Sequence, residues 1–492
     1  MYIREYRVTG TKQLSGTEVE EAVYPFLGPG RTSQDVEGAR AALEKAYHDK
    51  GYQSVSVEIP PQNPRKGIIS LNVVESTVGR LRVHGSRYFS LAEIKRKAGS
   101  MAEGRVPNFN DVTRDIIALN QLPDRRVTPE LKPGIEPGTV DIDLTVKDKF
   151  PLHGNVELNN RYSADTTELR LNAGLNYNNL WQLGHSIGFN FQVAPEKSSD
   201  AKVYSAYYMA RFPDTPWFSL LLSGTKQDSN VSTLGGAAVA GRGEIIGGRA
   251  IFTLPGGKDF YHSISLGFDY KHFGEDVIVG TDITQSPIDY YPASATYTAS
   301  LIGKNSLTEL DLGVNLHFRG LGSDGEEFNN KRYRADGSYI YLRGELSHTQ
   351  DLPWLQLFGK VQGQLSSQPL VNNEQFAGGG LSSARGYLES AVLGDNALFG
   401  TFELRSPSFL GFLGKDAFEW RVYGFVDAGF VTLNAPLPEQ VNRFDLASWG
   451  IGSRMKIFEY VGGSVDAAWP MITQGDNHKD DLLLTFRVWT EF

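Results

Sequence analysis

The chain has 492 residues, a formal net charge of -9 and no cysteine. The mildly acidic balance, without any run of Lys and Arg, argues against a nucleic-acid partner, and the lack of cysteine suits export through an oxidising compartment. No segment approaches the roughly 18 consecutive apolar residues of a membrane-spanning helix, which excludes helical membrane proteins but not a transmembrane barrel, because barrel strands are only half apolar.

The first part of the chain contains a weak internal repeat with a period of about 75 residues. The stretch "YRVTG" (Tyr6 to Gly10) recurs as "LRVHG" (Leu81 to Gly85). Two helix-like stretches and then two short alternating strands follow each copy. The order β-α-α-β-β predicts two small α+β domains, residues 1–76 and 77–148, each with a three-stranded sheet covered by two helices.

The second helix of each copy carries its own start signal. Thr32 and Asp35 are spaced as a capping box, and Gly51 stands where that helix is expected to stop. Asn108 and Asp111 hold the matching positions in the second copy. The paired strands that follow are "SVSVEI" with "GIISLNVVE" and "RVTPEL" with "TVDIDLTVK".

Residues 149–492 lose the helical period and alternate with a period of two. In "SISLGFDYK" the apolar residues Ile264, Leu266, Phe268 and Tyr270 share one face, and polar or small residues share the other. Strands of a soluble sandwich average five or six residues, whereas these run nearer ten. A coarse count of about sixteen strands predicts an antiparallel outer-membrane barrel with short periplasmic turns and longer outer loops.

Motifs for enzymatic chemistry are not found in the sequence. The glycine-rich stretch "GGGLSSARGYLES" (378 to 390) lacks the Gly-Lys-Ser/Thr of a phosphate loop, and Ala384 stands where a nucleophile elbow needs glycine. The nine histidines show no metal-ligand spacing. Carboxylates on inward strand faces fit a hydrated lumen, so no catalytic residue, cofactor or metal is expected.

This glycine-rich stretch belongs to an inserted loop, about 367–396, between the predicted eleventh and twelfth strands. Because the amino-terminal domains are expected in the periplasm, a loop after an odd-numbered strand lies on the outer side. The next strand, "RVYGFVDAGF", would direct Tyr423, Phe425, Asp427 and Gly429 to the lumen. Asp427 is therefore predicted to be an inward carboxylate.

The combination of Arg385-Gly386-Tyr387 with Phe425-x-Asp427-x-Gly429, behind a double repeat and in a sixteen-strand layout, resembles the two-partner secretion transporters (TpsB). These haemolysin and adhesin exporters of Gram-negative bacteria belong to the superfamily of barrels with polypeptide-transport-associated (POTRA) domains. The resemblance covers the whole chain. It implies two POTRA domains followed by an antiparallel 16-stranded transmembrane β-barrel.

Two departures from the family pattern stand out. Ala384 precedes the arginine where the family often has valine. Family members also commonly begin with a helix that plugs the pore, whereas here strand-like sequence begins by Tyr2 and "MYIREYRVTG" lacks the regions of a secretory signal. We expect residue 1 to be the start of a mature or truncated form of the protein, in which the plug helix either was removed or is lacking.

For the site, the resemblance implies that the loop folds back into the barrel and that Arg385 meets Asp427 in the lumen. A charge-assisted bidentate pair would fix the position of a loop that gains little from hydrophobic burial. Gly386 would permit the turn and Tyr387 would pack against the wall. Phe425 and Gly429 complete the supporting motif.

For function, the resemblance implies a monomeric, non-enzymatic transporter in the outer membrane, in contact with its lipid. The POTRA domains would recognise a specific unfolded exoprotein of the TpsA type (haemolysin, adhesin or contact-dependent inhibition) in the periplasm, and the barrel would secrete it. Periplasmic chaperones and the barrel-assembly machinery would act during biogenesis. We expect recognition by β-augmentation; the candidate edge consists of Ser54, Val55, Ser56, Val57, Glu58 and Ile59.

Three alternatives stay open from the sequence. A barrel-assembly factor of the same superfamily would usually carry more POTRA domains. A POTRA-linked lipid-acting enzyme would have lost its catalytic domain. A simple diffusion porin would leave the two POTRA modules unexplained.

Overall fold

The computed structural model describes residues 1–63, 66–212, 215–229, 231–232, 239–240, 242–279, 282–409, 418–458 and 460–492. The chain separates into two compact units, Met1–Pro151 and Leu152–Phe492. Within the described ranges, none of the helices has the length and apolar content that crossing a membrane requires.

The first unit contains two modules of the same design. The first comprises β1 (Glu5–Thr9), α1 (Gly16–Val23), α2 (Ser33–Asp49), β2 (Val55–Glu58) and β3 (Ile68–Glu75), and the second β4 (Thr77–His84), α3 (Leu91–Lys97), α4 (Phe109–Leu119), β5 (Arg125–Pro133) and β6 (Thr139–Asp148). Single 3-10 turns, Tyr24–Phe26 and Gly99–Met101, follow α1 and α3. The sheet orders are β1-β3-β2 and β4-β6-β5. The predicted order β-α-α-β-β is confirmed.

Local signals in the sequence explain why α2 forms where it does. Thr32 caps the helix, its side chain accepting a hydrogen bond from the Asp35 backbone while Asp35 accepts one from the Thr32 backbone at 2.8 Å. The buried residues of α2 recur at helical spacing and pack against the sheet. They are Val36, Ala39, Leu43 and Tyr47, which share one core with Val55, Val57, Ile69, Leu71 and Val73.

The two modules of the first unit are joined through the ends of two helices. Gly51, with φ at +95°, ends α2, and its carbonyl accepts a hydrogen bond from the Phe109 N–H at 2.8 Å. The Asn108 side chain, which caps α4, donates to the Lys50 carbonyl at 3.0 Å. Donors at the start of α4 therefore satisfy two carbonyls at the end of α2.

The second unit is a closed antiparallel barrel. Its elements are β7 (Leu152–Asn159), β8 (Arg170–Leu180), β9 (His185–Val193), β10 (Ala201–Arg211), β11 (Phe218–Ser229), β12 (Val231–Ser232), β13 (Val239–Ala240), β14 (Gly243–Thr253), β15 (Phe260–Val279), β16 (Asp282–Tyr290), β17 (Ala293–Ile302), β18 (Ser306–His317), α5 (Gly325–Lys331), β19 (Tyr339–Asp351), β20 (Gln356–Ser366), β21 (Phe376–Gly378), β22 (Val392–Gly394), β23 (Asn396–Arg405), β24 (Phe418–Thr432), β25 (Arg443–Ile457), β26 (Val461–Pro470) and β27 (Leu483–Glu491).

The pairing of these strands gives the predicted sixteen-stranded barrel. The long strand β15 pairs with β16 over its second half and with β17 over its first half. Strands β16 and β17 thus form one barrel strand interrupted at Tyr291 and Pro292. The short pairs β12–β13 and β21–β22 lie in loops outside the barrel sheet.

The period of two sorts side chains between lipid and lumen. On β15 Phe268 is 54% exposed on the outer face, whereas its neighbour Asp269 is buried on the inner face. The Asp269 carboxylate pairs there with Arg249 of β14, at 2.9 Å from Oδ1 to Nη1. Apolar side chains on the outer face are what an outer-membrane barrel presents to lipid.

The barrel closes at a short seam between its first and last strands. Strands β7 and β27 pair from Asn155 with Glu491 to Asn159 with Arg487. Beyond this ladder the Asn160 side chain replaces a strand: its oxygen accepts from the Phe486 N–H at 2.7 Å and its amide donates to the Leu484 carbonyl at 2.8 Å. Two backbone groups of β27 that the short ladder leaves unpaired are therefore satisfied.

Candidate functional site

The candidate site is built on the loop between β20 and β23, the eleventh and twelfth barrel strands. This loop, residues 367–395, folds back on itself through the short hairpin β21–β22. At its tip Gly379 and Gly380 have φ of +106° and +77°, which glycine adopts at little cost. The Ser383 hydroxyl bonds the Gly379 N–H at 2.8 Å and its carbonyl at 3.0 Å, which holds the tip in a compact turn.

The structure places Arg385 of the loop tip directly against Asp427 of β24. Arg385 Nε lies 2.8 Å from Asp427 Oδ2, and Nη2 lies 2.9 Å from Oδ1. The Arg385 backbone N–H donates to the same carboxylate at 3.1 Å. The two residues are 6% and 1% exposed. This is a buried bidentate pair, a geometry that fixes orientation as well as distance.

A second carboxylate, Glu403 of β23, also binds this guanidinium, and the sequence analysis did not identify it. Its Oε1 accepts from Arg385 Nη1 at 2.5 Å, and its Oε2 accepts from Arg405 Nε at 2.7 Å. Two arginines and two carboxylates thus alternate in one chain, and their formal charges cancel. The signal that could have found Glu403 is its place on the inward face of β23, directly opposite Phe425.

Phe425 and Gly429 support this network through their shapes. The Arg385 guanidinium carbon lies 3.5 Å from the centroid of the Phe425 ring, a cation–π contact. A Cβ on Gly429 would lie 2.4 Å from the Phe399 ring, so glycine leaves the space that this ring occupies. Phe376 of the loop stacks on Phe399, with ring centroids 5.6 Å apart and planes at 11°.

Gly386 and Tyr387 place the loop tip against the next strands. Gly386 was predicted to permit a turn, but the structure gives another reason for glycine at this position. Its φ is not positive, so a turn conformation does not require glycine there. Instead, a Cβ would lie 2.7 Å from Ser448 Cβ and 3.0 Å from Pro470 N. The buried Tyr387 ring packs in the cluster around Phe399, and its hydroxyl donates to the Ile472 carbonyl at 2.7 Å.

Three further buried carboxylates hold the loop, and sequence reasoning missed all of them. Glu374 accepts from Lys271 Nζ at 2.5 Å and from the hydroxyls of Tyr290 and Tyr341 at 2.7 Å each. Two more bind elsewhere along the loop: Glu389 pairs with Arg161 Nε at 2.7 Å, and Asp395 accepts the N–H groups of Leu370 at 2.8 Å and Asn434 at 2.7 Å. The loop is therefore anchored by polar contacts along its whole length.

The candidate client-binding edge, Ser54 to Ile59, contains strand β2 and lies at an edge of its sheet. At Val57 the outward backbone groups are already occupied by side chains of α2. The Val57 N–H donates to Glu44 Oε2 at 3.1 Å, and the Val57 carbonyl accepts from Arg40 Nη1 at 3.4 Å. An added strand needs these same groups. Client binding at Val57 would therefore have to displace the Glu44 and Arg40 side chains.

Within the described ranges, no group of three or more His, Cys, Asp or Glu side chains is placed to hold a metal ion. The charged groups of the site bind one another instead. Their arrangement positions a loop.

Comparisons with known proteins agree with this architecture. Residues 138–455 match the family described as haemolysin secretion/activation protein ShlB/FhaC/HecB, and residues 1–76 match the ShlB-type POTRA domain. The outer membrane transporter CdiB of Dickeya dadantii (strain 3937) is 22% identical over 522 residues, covering 100% of this chain and 86% of that protein. The heme/hemopexin transporter protein HuxB of Haemophilus influenzae (strain 86-028NP) is 20% identical, covering 76% and 66%.

Solved structures show the same fold. CdiB from Escherichia coli superposes with a TM-score of 0.67 at 19% identity, covering 100% of this chain and 90% of that chain. BamA from Haemophilus ducreyi lacking POTRA domains 1-3 gives 0.60 at 16% identity and covers 100% of both chains. Since the family model spans well over half of the sequence, the chain belongs to the ShlB/FhaC/HecB family of two-partner secretion transporters, with its barrel in the outer membrane and its POTRA domains in the periplasm.

Proposed function

We propose that this transporter secretes a specific unfolded exoprotein of the TpsA type, which its POTRA domains recognise in the periplasm and its barrel passes outward. The family match supports export over barrel assembly or diffusion, and the relatives are named as transporters. The proposal includes no enzymatic step. The observation that carries it is the polar anchoring of the inserted loop within the barrel.

Polar contacts suit a loop that must be held against the barrel wall at rest and be released from it during export. When a buried ion pair opens into a water-filled lumen, water solvates the freed charges, and the desolvation cost of forming the pair is recovered. Attachment through Arg385, Asp427 and Glu403 is therefore specific in position but moderate in net free energy. An apolar plug of the same size would resist release, because it would expose its surface to water.

In this proposal Arg385 and Asp427 form the lock of the loop, while Gly386, Tyr387 and Phe425 seat it. Export requires the lock to form, because it defines the resting position of the loop, and to open, because the loop otherwise narrows the path. A sixteen-stranded barrel leaves an aqueous channel wide enough for an extended chain once the loop moves aside.

The test measures secretion of the exoprotein encoded beside this gene, in cells with equal surface levels of each transporter variant. Arg385→Ala and Asp427→Ala should each reduce export. The reciprocal swap, Arg385→Asp with Asp427→Arg, is made in a Glu403→Gln background, because the introduced carboxylate would otherwise face Glu403. Glu403→Gln alone is the matched control.

Restored export in the swap would support the lock. Unchanged export in all variants would remove the mechanistic role of the pair. Secretion of the exoprotein in cells that lack the transporter would overturn the proposed function itself.

A further inference from the structure

The inner wall of the barrel divides into two sectors of different chemistry, and strand register identifies the inward residues of each. Asp269 and Arg249 pair inside the lumen. Directly opposed residues of antiparallel strands point to the same face. Ser223 lies opposite Gly247, which lies opposite Asp269, and Tyr207 lies opposite Ser223. These pairings identify the inward residues of β15, β14, β11 and β10, and the same reasoning extends to β9 and β8.

Strands β8 to β11 form an uncharged sector, which we call the neutral wall. Arg170 and Arg211 mark its two rims, at the start of β8 and the end of β10. Between these rims the inward positions are Asn172, Gly174, Asn176, Ser186, Gly188, Asn190, Gln192, Val203, Ser205, Tyr207, Met209, Ser219, Leu221, Ser223, Thr225 and Gln227. All are amide, hydroxyl, small or apolar residues, and none carries a charge.

The opposite wall carries the inserted loop. Strands β19, β20, β23 and β24 stand eight places around the sixteen-stranded barrel from β8 to β11. Their inward residues Tyr341, Gln364, Glu403 and Asp427 are buried. On the neutral wall, residues such as Asn176 and Ser205 stay partly exposed although they face the lumen. The loop covers these positions, whereas most inward residues of the neutral wall stay partly exposed, the exceptions being Ser186, Gly188, Gln192, Val203 and Gln227.

Neighbouring side chains of the neutral wall also contact one another. A Cβ on Gly188 would lie 2.2 Å from the Tyr207 ring, so glycine leaves the space that this ring occupies. The Gln192 amide donates to Asn172 Oδ1 at 2.8 Å, and the Asn190 amide approaches Ser205 Oγ at 3.5 Å. Neighbouring side chains thus bond laterally.

We propose that the neutral wall is the surface along which an extended, unfolded polypeptide moves through the barrel; this inference rests on the proposed function. Amide and hydroxyl groups can exchange hydrogen bonds with water and with the backbone of any sequence. A fixed charge would retain opposite charges in the passing chain and repel like ones. An apolar wall would retain its apolar side chains. A neutral polar wall does neither.

The first test introduces charge into the neutral wall and follows the export rate of the exoprotein encoded beside this gene. Ser205→Glu and Ser205→Lys should both slow export about three- to tenfold, since either sign opposes passage of a mixed-charge chain. Ser205→Gln, which matches Glu in size but is uncharged, separates the effect of charge from that of bulk, and export should be at least about threefold faster in it than in Ser205→Glu. Thr296→Glu is the positional control, because Thr296 faces the lumen from β17, opposite Ser265.

The second test places a photo-crosslinking amino acid at Asn190 or Ser223, with Thr296 as the control position. Its probe is the same exoprotein fused to a domain that folds before export and arrests the chain in the barrel. Crosslinks concentrated at the first two positions would support the inference. Crosslinks at Thr296 alone, crosslinks of equal yield at all three positions, or none at any of them although the fusion is arrested in the barrel, would overturn it and leave the proposed function standing. Export that does not depend on the transporter would overturn both.

Discussion

Arg385 and Asp427, 42 residues apart in the chain, form a bidentate ion pair inside the barrel, while Glu403 binds the remaining nitrogen of the same guanidinium. One cation therefore serves two buried carboxylates. The pair is not symmetric, because each partner leaves a different set of charges behind when it is removed.

We expect Arg385→Ala to destabilise the folded barrel more than Asp427→Ala. The first change leaves Asp427 without its guanidinium partner and Glu403 with Arg405 alone, a loss of about 3 kcal/mol. The second leaves Arg385 paired with Glu403 and should cost about 1–2 kcal/mol. Urea unfolding of the purified protein in detergent measures the difference. Equal losses would show that Glu403 contributes nothing to holding the arginine.

Glu374 and Arg385 anchor different parts of the loop, in addition to Glu389 and Asp395. Arg385→Ala should free the loop tip, and Glu374→Ala should free the segment before β21, because each change removes the polar contacts of that part alone. In the double variant both parts are free, so added protease should cleave within residues 367–395 faster than in either single variant. A double variant that is cleaved no faster than Arg385→Ala would show that Glu374 does not hold the loop.

Gly386→Ala should lift the loop tip from the wall. The added methyl group would meet Ser448 Cβ and Pro470 N, and overpacking of this kind costs about 1–3 kcal/mol. Gly359→Ala on β20 is the control, because a Cβ there meets no atom within 4 Å. Thermal unfolding should show a lower midpoint for Gly386→Ala than for Gly359→Ala. Combining Gly386→Ala with Ser448→Gly should recover part of the lost stability. A neutral Gly386→Ala would contradict the close-approach explanation.

The closed edge of β2 should open when Glu44 is removed. Glu44→Ala takes away the acceptor of the Val57 N–H, a loss of about 1 kcal/mol, which should speed amide exchange there about fivefold. Glu37→Ala is the matched control: it removes a surface ion pair of the same Arg40 and leaves the strand untouched. Hydrogen exchange with mass spectrometry distinguishes the two. Unchanged exchange in Glu44→Ala would mean that other groups close the edge.

Acid should weaken the first POTRA module through Glu18. Its pKa is lowered to about 2 by the neighbouring Lys50 ammonium and by hydrogen bonds from the Ser15 backbone and hydroxyl. Because the folded pKa lies below the ordinary 4.5, this stabilisation is present above pH 4.5 and is lost as the pH falls toward 2. Glu18→Gln should remove that part of the pH dependence. Denaturant unfolding at successive pH values between 6 and 2.5 would show it, with Glu20→Gln as the control.

Much of the fold follows from alternation along the strands and from helix caps. Alternation with a period of two, sustained over more than 300 residues, identified a long-stranded barrel because lipid and lumen impose opposite chemistry on successive side chains. Helix caps at Thr32 and Asn108 located α2 and α4 because capping is a local interaction. Strand β2 also lies where "SVSVEI" predicted it. These features depend on neighbours in sequence.

The site was less accessible from sequence. Arg385 and Asp427 were named through a family resemblance, and Glu403 lay on a predicted inward face without a reason to choose it. The anchor at Glu374 depends on Lys271, Tyr290 and Tyr341, three residues brought together by strand register, which periodicity does not specify. The closure of β2 by Glu44 and Arg40 likewise depends on how α2 rotates over the sheet.

The seam between β7 and β27 sets an order of events for assembly. Glu157 of the first strand pairs with Arg487 of the last, 330 residues later in the chain. The cylinder therefore stays an open sheet, with two unsatisfied edges, until the last strand has emerged and inserted. Throughout that interval β7 must be kept from joining a foreign strand. Biogenesis of this transporter thus depends on protecting the free pairing edge of β7. The hydrogen bonds of Asn160 and the short ladder with β27 occupy that edge last.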